Sequence, residues 1–415
     1  MTDIKRFNRH PFALRGNSRY NECMKTSVCI VGGGPAGVVL SYLFAKEGIK
    51  VTLLESEKDF DRNFRGDTVH PSVMELMDEL GFADELHKLP HTKIHKLGVE
   101  GQGSVDFTRL KSKFPYITLM HQKDFLNFMV EKAKVFSNFT LLMHSNAQKI
   151  IEKNGKVVGV EYVKKGAWTQ IDADLVVGAD GRFSKMRSVG NFELVSNSAP
   201  MDVLWFRLPK IENEDFHSGG KISGGKIIVA LEREEYWQMG FIIEKGSYHD
   251  IREAGISAFQ DELGQMLPSF RERAKELSDW KEISLLVVES SRVTQWYRDG
   301  LLLIGDAAHV MTPVGGVGIN QAIKDAVETF NQLILPLKEN RLTEKDLARV
   351  QAKRIWSTRW VQLFQRTAQN QIFKKKKSNR MLVKLLRGVL KNRLINRFAA
   401  HLLAIGFKRI HLKKL

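Results

Sequence analysis

The feature that most constrains the fold is a glycine-rich turn between two apolar stretches near the start of the chain. The apolar run at residues 28–31 leads directly into GGGPAG at residues 32–37, and a second run, residues 50–54, ends at Glu55. The sequence between them, residues 38–47, predicts a helix. A strand, a G-x-G-x-x-G turn, a helix and a second strand make up the βαβ unit that binds dinucleotides. The chain is therefore predicted to contain a Rossmann-like α/β domain.

Each glycine of this turn has its own physical task. Gly32 allows the tight turn, Gly34 lets the backbone approach a pyrophosphate, and Gly37 lets the helix pack closely on the strand. The helix presents unpaired N–H groups and the positive end of its dipole to the phosphates. Glu55 is placed to accept hydrogen bonds from the adenosine ribose, and its charge would repel a 2′-phosphate. The predicted ligand is FAD or NAD.

The composition indicates a globular protein in a reducing compartment. The chain has 415 residues, 43% of them hydrophobic, and no apolar stretch reaches the roughly 18 residues of a membrane span. Two cysteines, Cys23 and Cys29, are too close in sequence to crosslink a large fold, so we expect a cytoplasmic protein. Residues 1–23 are predicted to be a disordered extension, because they are polar and basic and precede the first strand.

The formal net charge of +17 is concentrated at the C-terminal end. Of the 64 Lys and Arg residues, 19 lie after Asp346, where no acidic residue occurs. The first 346 residues therefore carry 45 basic against 47 acidic side chains. A nearly neutral main body argues against nucleic acid as a partner.

Two further apolar runs end in motifs that contain glycine and aspartate. Asn154 and Gly155 predict a two-residue hairpin, and residues 167–173 predict a third strand of the same meander. A separate apolar run at residues 175–177 then leads into GADGR, and the run at residues 301–304 leads into GDAAH. An aspartate followed by glycine at a strand end is, by itself, typical of a turn.

Taken together, VCIVGGGPAG, DLVVGADGRFSKMR and GLLLIGDAAHVMTPVGGVGINQAIKDA resemble the three fingerprints of the group A flavoprotein monooxygenases, the para-hydroxybenzoate hydroxylase-like family. The resemblance covers roughly residues 24–337. It implies a Rossmann-like FAD-binding domain interleaved with an antiparallel β-sheet substrate domain, followed by C-terminal helices. We expect the FAD-binding domain at residues 24–100, 120–190 and 285–340, the substrate domain at 101–119 and 191–284, and a basic helical region at 341–415.

The resemblance also implies which residues hold FAD. Asp306 would accept hydrogen bonds from the ribityl hydroxyls, and Asp180 would lie near the pyrophosphate. The helix that begins near Ile319 would direct its N-terminus at the flavin ring, where reduction accumulates negative charge. The expected cofactor contacts are Gly32, Gly34, Ala36, Gly37, Glu55, Arg65, Gln122, Asp180, Asp306, Gly316, Gly318, Ile319 and Asn320. Without the resemblance, Arg65 would be interpreted as a loop charge and Gln122 as a polar group at a helix start.

The implied activity is hydroxylation of a phenolic or quinone-precursor ring with NAD(P)H and O2, through a flavin C4a-hydroperoxide. The sequence shows no metal-ligand spacing and no second G-x-G-x-x-G, so NAD(P)H is expected to bind only transiently. Arg65 and Pro313 are the expected catalytic residues; the Pro313 carbonyl could accept a hydrogen bond from a phenol, although a proline in a turn also has a structural explanation. The alternatives are an FAD-dependent reductase or dehydrogenase of the polyprenyl-reductase type, and a membrane-recruited flavoprotein with a partner-binding tail.

Substrate contacts are expected between the second and third motifs. Residues 201–209 and 226–243 predict antiparallel strands, one face of which would cover the flavin. The candidate contacts are Trp205, Arg207, Tyr236 and Trp237, although aromatic residues in strands more often belong to the core.

The basic C-terminal region has two interpretations. Leu382, Leu385, Leu386 and Val389 recur at helical spacing with cations on the other faces, which predicts a basic amphipathic helix. Together with the upstream Trp356, Trp360 and Phe364, this helix could lie on the inner face of an anionic membrane. Alternatively, the leucines pack on the FAD-binding domain while the cations stay solvated.

Overall fold

The computed structural model describes residues 24–61, 67–99, 103–212, 214, 216–223, 226–373 and 392–414. The extension predicted at residues 1–23, the predicted FAD contact Arg65 and the amphipathic helix predicted around Leu382 lie outside the described residues.

The described chain alternates strands and helices over most of its length. The strands are β1 (Met24–Val31), β2 (Val51–Leu54), β3 (Thr68–Val69), β4 (His91–Ile94), β5 (Lys96–Val99), β6 (Gly103–Asp106), β7 (Ile117–Met120), β8 (Phe139–Leu142), β9 (Ser145–Lys153), β10 (Lys156–Lys164), β11 (Ala167–Gly178), β12 (Leu194–Ser198), β13 (Met201–Pro209), β14 (Gly219–Ser223), β15 (Lys226–Glu232), β16 (Tyr236–Glu244), β17 (Ser284–Leu286), β18 (Glu289–Val293), β19 (Tyr297–Arg298), β20 (Leu301–Leu303) and β21 (His309–Val310). The helices are α1 (Pro35–Lys46), α2 (Pro71–Glu79), α3 (Ala83–Leu86), α4 (Gln122–Lys134), α5 (Lys185–Val189), α6 (Tyr248–Glu253), α7 (Ile256–Met266), α8 (Arg271–Ala274), α9 (Gly318–Lys338), α10 (Glu344–Phe373) and α11 (Arg393–Ala404).

A parallel sheet in the order β8, β2, β1, β11, β20 forms the centre of the fold, with β19 antiparallel at one edge. Strands β2 and β20 and the last four residues of β1 and β11 are buried because α1 and α9 contribute apolar side chains to one continuous core with them. Parallel strands joined by helices place the loops that follow β1, β11 and β20 at the same edge. The predicted α/β fold with a Rossmann-like sheet is confirmed.

The meander at residues 145–178 differs from the prediction in one respect. The hairpin at Asn154 and Gly155 is present, with φ of 51° and 79°, as a two-residue turn of this kind requires. The predicted third strand and the buried run after it, however, form the single twelve-residue strand β11. Its first part pairs with β10 and its last part with β1 and β20, and no glycine or proline interrupts it before Gly178.

A second, mostly antiparallel sheet has the order β17, β13, β16, β15, β14, β5, β6. One face packs on α7 and α8 around Phe206, Trp237 and Phe259. The domain boundary expected at residue 100 falls between β5 and β6, and both strands belong to this sheet because they pair as a hairpin. The boundary expected between residues 284 and 285 falls inside β17, which pairs with β13 in this sheet.

The C-terminal helices pack against both parts of the fold. Helix α10 runs beside α9, and α11 places Ala400 and Ala404 in a hydrophobic cluster with Phe107 and Leu119. Two three-stranded sheets, β3–β7–β4 and β12–β18–β21, connect the larger ones. None of the helices that the structure describes is long and apolar enough to cross a membrane.

Candidate active site

The three sequence motifs meet at one place. A methyl group on Gly32 in the first motif would lie 2.5 Å from the Ala179 carbonyl oxygen in the second. A methyl on Gly305 in the third motif would lie 3.3 Å from the Ala36 methyl in the first. The Arg187 guanidinium links the second and third motifs by donating to the Ala307 carbonyl at 3.1 Å. These pairwise contacts enclose a site at the edge of the parallel sheet.

The phosphate turn has the geometry that its glycines predict. Gly32 has φ of 104°, a conformation that residues with a side chain rarely adopt. A methyl on Gly37 would come within 2.0 Å of the Gly32 carbonyl oxygen, so α1 could not pack on β1 with any larger residue there. Gly34, by contrast, has an ordinary φ of −77°, and a methyl there would have only the Ala179 carbonyl oxygen near it, at 4.0 Å. Gly34 therefore leaves its open side to a ligand.

Glu55 lies at the end of β2 beside this turn and is only 2% exposed. Its Oε2 accepts from the Gly33 backbone N–H at 2.8 Å, and its Oε1 accepts from the Glu57 N–H at 3.0 Å. Glu55 thus positions the phosphate turn directly. Its predicted bond to a ribose remains a prediction.

Asp180 lies at the end of β11, next to Gly32. Its carboxylate accepts from the Ser184 hydroxyl at 2.5 Å and from the Met186 N–H at 3.0 Å, and so ties the loop to the start of α5. Burial raises the pKa of the Asp180 carboxyl, which the Ser184 hydrogen bond opposes. The side chain therefore orders the loop beside the phosphate turn, consistent with both a turn-forming and a cofactor role.

The turn that carries Asp306 is held in place by a buried cluster of ionisable side chains that includes Asp325 of α9. Asp325 of α9 accepts from the Gly305 N–H at 3.0 Å, and it contacts His309 Nε2 at 2.7 Å and Arg354 Nε at 2.7 Å. All three ionisable side chains are at most 2% exposed. Burial alone would raise the pKa of Asp325, but the interactions with His309 and Arg354 outweigh it and bring the pKa to about 2. Asp325 is therefore ionised and fixes the backbone beside Asp306.

The start of α9 is fixed by a second network. The Asn320 side-chain amide donates to the Thr68 carbonyl at 3.0 Å and the Gly316 carbonyl at 3.1 Å, and its oxygen accepts from the His70 N–H at 2.8 Å. A methyl on Gly316 would lie 2.5 Å from the Thr68 hydroxyl. Asn320 and Gly316, both predicted cofactor contacts, therefore join α9 to β3. Ile319 is 9% exposed and belongs to the main core.

Two helix N-termini that flank the site have no side-chain cap. Neither Gly34 before α1 nor Val317 before α9 supplies a capping hydrogen bond, and neither first turn contains an acidic residue. A methyl on Gly318 would meet nothing within 4 Å. Helix N-termini of this kind bind anions, because their N–H groups lack partners and the dipole is positive. The two ends fit a ligand with a pyrophosphate at one end and an electron-accepting ring at the other, as FAD has.

Gln122 begins α4, a helix that packs against α1. Its backbone N–H donates to Asp67 Oδ1 at 3.2 Å, and Asp67 also forms an ion pair with Arg233 of the turn before β16. Burial raises the pKa of Asp67, and the charge of Arg233 opposes that shift. This chain of contacts joins the FAD-binding part to the second sheet.

The loop at residues 312–318, here termed the flavin loop, contains Pro313. The Pro313 carbonyl accepts from the Gly316 N–H at 3.0 Å, which leaves one lone pair for a ligand. Gln365 of α10 fixes the loop, because its amide donates to the carbonyls of Thr312 and Val314, both at 2.8 Å. The Thr312 hydroxyl is buried without a partner among the described residues.

The second sheet divides the four substrate candidates between its faces. Trp205 packs against the same hydrophobic cluster as Val314 of the flavin loop, and its ring lies flat across Gly240, where a methyl would be 3.0 Å away. The Arg207 guanidinium lies 4.7 Å from the centre of the Tyr236 ring. Trp237 is on the opposite face, fully buried in the core with α7 and α8, and its N–H donates to Glu214. The structure therefore brings Trp205, Arg207 and Tyr236 to one face and separates Trp237 from them.

Several residues that organise the site were not identified from the sequence. Arg187, Asp325 and Gln365 each hold a loop that carries a predicted contact, and Arg354 in turn holds Asp325. The one available signal was Asp325 itself, a carboxylate inside the third motif. Arg354 and Gln365 lie in a helix whose partners could not be known before the fold was.

Comparison with known proteins agrees with this geometry. A family model described as an FAD binding domain matches residues 25–354. The 6-methylpretetramide 4-monooxygenase of Streptomyces rimosus is 31% identical over 341 residues, which cover 79% of this chain and 80% of that protein. Among solved structures, p-nitrophenol 4-monooxygenase from Pseudomonas putida DLL-E4 has a TM-score of 0.79 at 18% identity and covers 91% of this chain and 97% of its own. The anhydrotetracycline hydroxylase of Streptomyces rimosus has a TM-score of 0.75 at 19% identity, and the match covers 92% of this chain and 76% of that protein.

The fold and the site together define a flavin-dependent oxidoreductase. The chain belongs to the FAD-dependent aromatic-ring monooxygenases, the group A flavoprotein monooxygenase family. FAD as the cofactor and NAD(P)H as the co-substrate are confirmed, and monooxygenation is supported over the reductase alternative.

Proposed function

We propose that the ring-binding site of this monooxygenase lies between the flavin loop and the sheet face that carries Trp205, Arg207 and Tyr236. The observation that supports it is that Trp205 and Val314 pack against one hydrophobic cluster, so that this face covers the flavin loop. A covering sheet would exclude water from the reacting ring and hold it in one orientation.

The same proposal assigns the cofactor contacts. The α1 N-terminus with Gly34 would bind the pyrophosphate, Asp306 the ribityl hydroxyls, and the α9 N-terminus with Gly318 the flavin ring edge. Arg65, Gln122 and Glu55 keep the roles that the family resemblance implies for them. Bound FAD supplies the activation of dioxygen, which no protein side chain provides.

The polar groups near the flavin loop support a phenolic substrate. The Trp205 N–H and the Thr312 hydroxyl are buried without partners among the described residues, and the Pro313 carbonyl has a free lone pair. Buried polar groups normally have hydrogen-bond partners, so a ligand oxygen would complete this set. The carbonyl would accept the phenol proton, while the N–H and the nearby Arg207 charge would favour the phenolate. The relative named for p-nitrophenol is consistent with a substrate of this class.

The proposal also includes a location. We propose that the enzyme works in the cytoplasm and that its C-terminal region makes peripheral contact with a membrane. The support for a reducing compartment is Cys29, a free cysteine buried in the core, where burial raises its pKa to about 12. The support for the contact is the run of 19 cations after Asp346 with no acidic residue.

The function is tested with the purified, FAD-loaded protein, NAD(P)H and a panel of phenols and quinone precursors under ¹⁸O2. We expect at least one phenol to accelerate NAD(P)H oxidation and to yield a product that carries one ¹⁸O atom, detected by mass spectrometry. If NAD(P)H oxidation reduces a compound of the panel and no product contains ¹⁸O, the reductase alternative is correct.

A further inference from the structure

The part of helix α10 that follows residue 353 buries polar residues and exposes apolar ones, the reverse of an ordinary surface helix. The side of this part that packs on the protein is polar, with each residue at most 7% exposed: Arg354, Thr358, Gln362, Gln365 and Gln369. The first turns of α10 instead bury the apolar Leu347 and Val350. The side that faces outward carries Trp356, Trp360, Leu363 and Phe364, which are 44–56% exposed and are termed the aromatic face below. At 3.6 residues per turn, the two sets lie on opposite sides of the helix.

The buried hydrogen bonds fix this orientation. Gln362 donates to the Ser291 carbonyl at 2.9 Å and the Val310 carbonyl at 3.1 Å, while Arg354 pairs with Asp325. Rotating the helix to bury its tryptophans would take the Gln362 donor from those carbonyls, at about 1–3 kcal/mol for each neutral group left unpaired, and would separate Arg354 from Asp325. The polar side of α10 must face inward to supply these hydrogen bonds, and the aromatic face consequently points outward.

An outward cluster of this kind has large unburied apolar area. Phe407, from the segment after α11, extends it by contacting Trp356 and Trp360, with ring centres 5.2 Å and 6.0 Å apart. Contiguous exposed apolar patches mark surfaces that contact a partner or a membrane.

The charges around the aromatic face indicate which partner it suits. Lys353, Arg359 and Arg366 are exposed on α10, and the chain has no acidic residue beyond Asp346 to neutralise them. Tryptophan is favoured at the interface between lipid headgroups and acyl chains, and cations beside it attract anionic headgroups. A second copy of this surface would be repelled by its own charge.

We propose that the aromatic face of α10 inserts into the headgroup region of an anionic lipid bilayer. The inference builds on the proposed membrane contact but assigns it to α10 rather than to the predicted helix around Leu382. Gln365, on the inner side of the same helix, holds the flavin loop. The bilayer would therefore lie about one helix diameter, roughly 10–12 Å, from the active site.

The test uses vesicle flotation of the full-length, FAD-loaded protein. Vesicles of phosphatidylcholine alone are compared with vesicles that contain roughly one third phosphatidylserine. We expect the wild type to float only with the anionic vesicles, and Trp356→Ala with Trp360→Ala to lower the bound fraction about tenfold. Trp168→Ala is the matched control, since Trp168 is 40% exposed on β11, and it should bind like the wild type.

A second variant keeps the inference testable if the tryptophan double variant does not fold. Arg359→Glu with Arg366→Glu leaves the aromatic residues in place and should also abolish binding to anionic vesicles. Bound FAD and NAD(P)H oxidation are measured without vesicles, so that a failed hydroxylase assay is distinguished from failed membrane binding.

Three results would overturn the inference. The first is equal flotation of the wild type and both double variants. The second is a loss of dimer mass in the tryptophan variant by light scattering, which would identify a second copy as the partner. The third is protection of Trp356 and Trp360 from iodide quenching before vesicles are added, which would show that another segment of this chain covers the face.

Discussion

The Asp325 carboxylate accepts a hydrogen bond from the Gly305 backbone N–H at 3.0 Å, and this contact joins α9 to the turn that presents Asp306. The same carboxylate contacts His309 Nε2 and pairs with Arg354, all within the core. This buried cluster therefore fixes the backbone next to Asp306 through the Gly305 N–H.

Asp325→Asn removes the charge and keeps the shape. We expect the free energy of unfolding of the FAD-free protein to fall by about 3–5 kcal/mol, because His309 and Arg354 then lose their buried partner. Urea unfolding measures this change. Glu131→Gln, which breaks the exposed pair with Lys134, is the control and should change stability by less than about 0.5 kcal/mol. A loss below about 1 kcal/mol for Asp325→Asn would contradict the assignment.

His70 predicts a pH dependence. It is 1% exposed, its Nδ1 lies 3.0 Å from the Leu403 carbonyl of α11, and burial lowers its pKa from 6.5 to about 4. Below pH 6.5 His70 is protonated in the unfolded chain, whereas in the folded protein it stays neutral down to about pH 4. Stability is therefore lost as pH falls through that window, by up to about 1.4 kcal/mol per pH unit.

His70→Asn keeps a donor for the Leu403 carbonyl but does not titrate. We expect its free energy of unfolding to depend less on pH between 6.5 and 4 than that of the wild type, measured by urea unfolding. His217→Asn alters an exposed histidine and should follow the wild type. If the free energy of unfolding of His70→Asn changed with pH as steeply as that of the wild type, His70 would not stay neutral in the folded protein.

Gly34 and Gly37 separate ligand binding from folding. Gly34→Ala should leave the FAD-free protein as stable as the wild type, within about 0.5 kcal/mol, yet weaken FAD binding at least about tenfold, because its methyl points into the proposed pyrophosphate site. Gly37→Ala should lower stability itself by about 1–3 kcal/mol, since its methyl meets the Gly32 carbonyl at 2.0 Å. Calorimetric FAD titration and urea unfolding measure the two effects. Normal FAD affinity in Gly34→Ala would place the pyrophosphate elsewhere.

Trp205 and Trp237 form a matched pair on opposite faces of one sheet. Trp205→Phe deletes a buried N–H that has no acceptor among the described residues, so kcat/KM for a phenol should fall about tenfold while FAD affinity is unchanged. Trp237→Phe deletes the N–H that donates to Glu214, and it should lower stability but not kcat/KM. The proposed ring site would be wrong if both variants had the same kcat/KM as the wild type.

The sequence predicted the parts of the site that depend on local backbone geometry. The order of strand, turn and helix around Gly32, and the hairpin at Asn154, follow from short-range sterics that the residues carry with them. Local sequence patterns wrongly predicted two strands within residues 167–178. The structure has one strand there, which pairs with β10 in its first part and with β1 in its last part, and such a change of neighbour has no local sequence signal.

What the sequence determined by itself was the family, the cofactor and the position of the phosphate turn, because each of the three motifs consists of residues close to one another in the chain. The tertiary structure decided which face of the second sheet covers the flavin loop and that Trp237 lies away from it. It also decided that α10 turns its polar side inward, against Asp325 and the carbonyls of the flavin loop. A buried carbonyl needs a hydrogen-bond donor, and the donor can come from any part of the chain. Which carbonyls are buried is decided only when distant segments pack together.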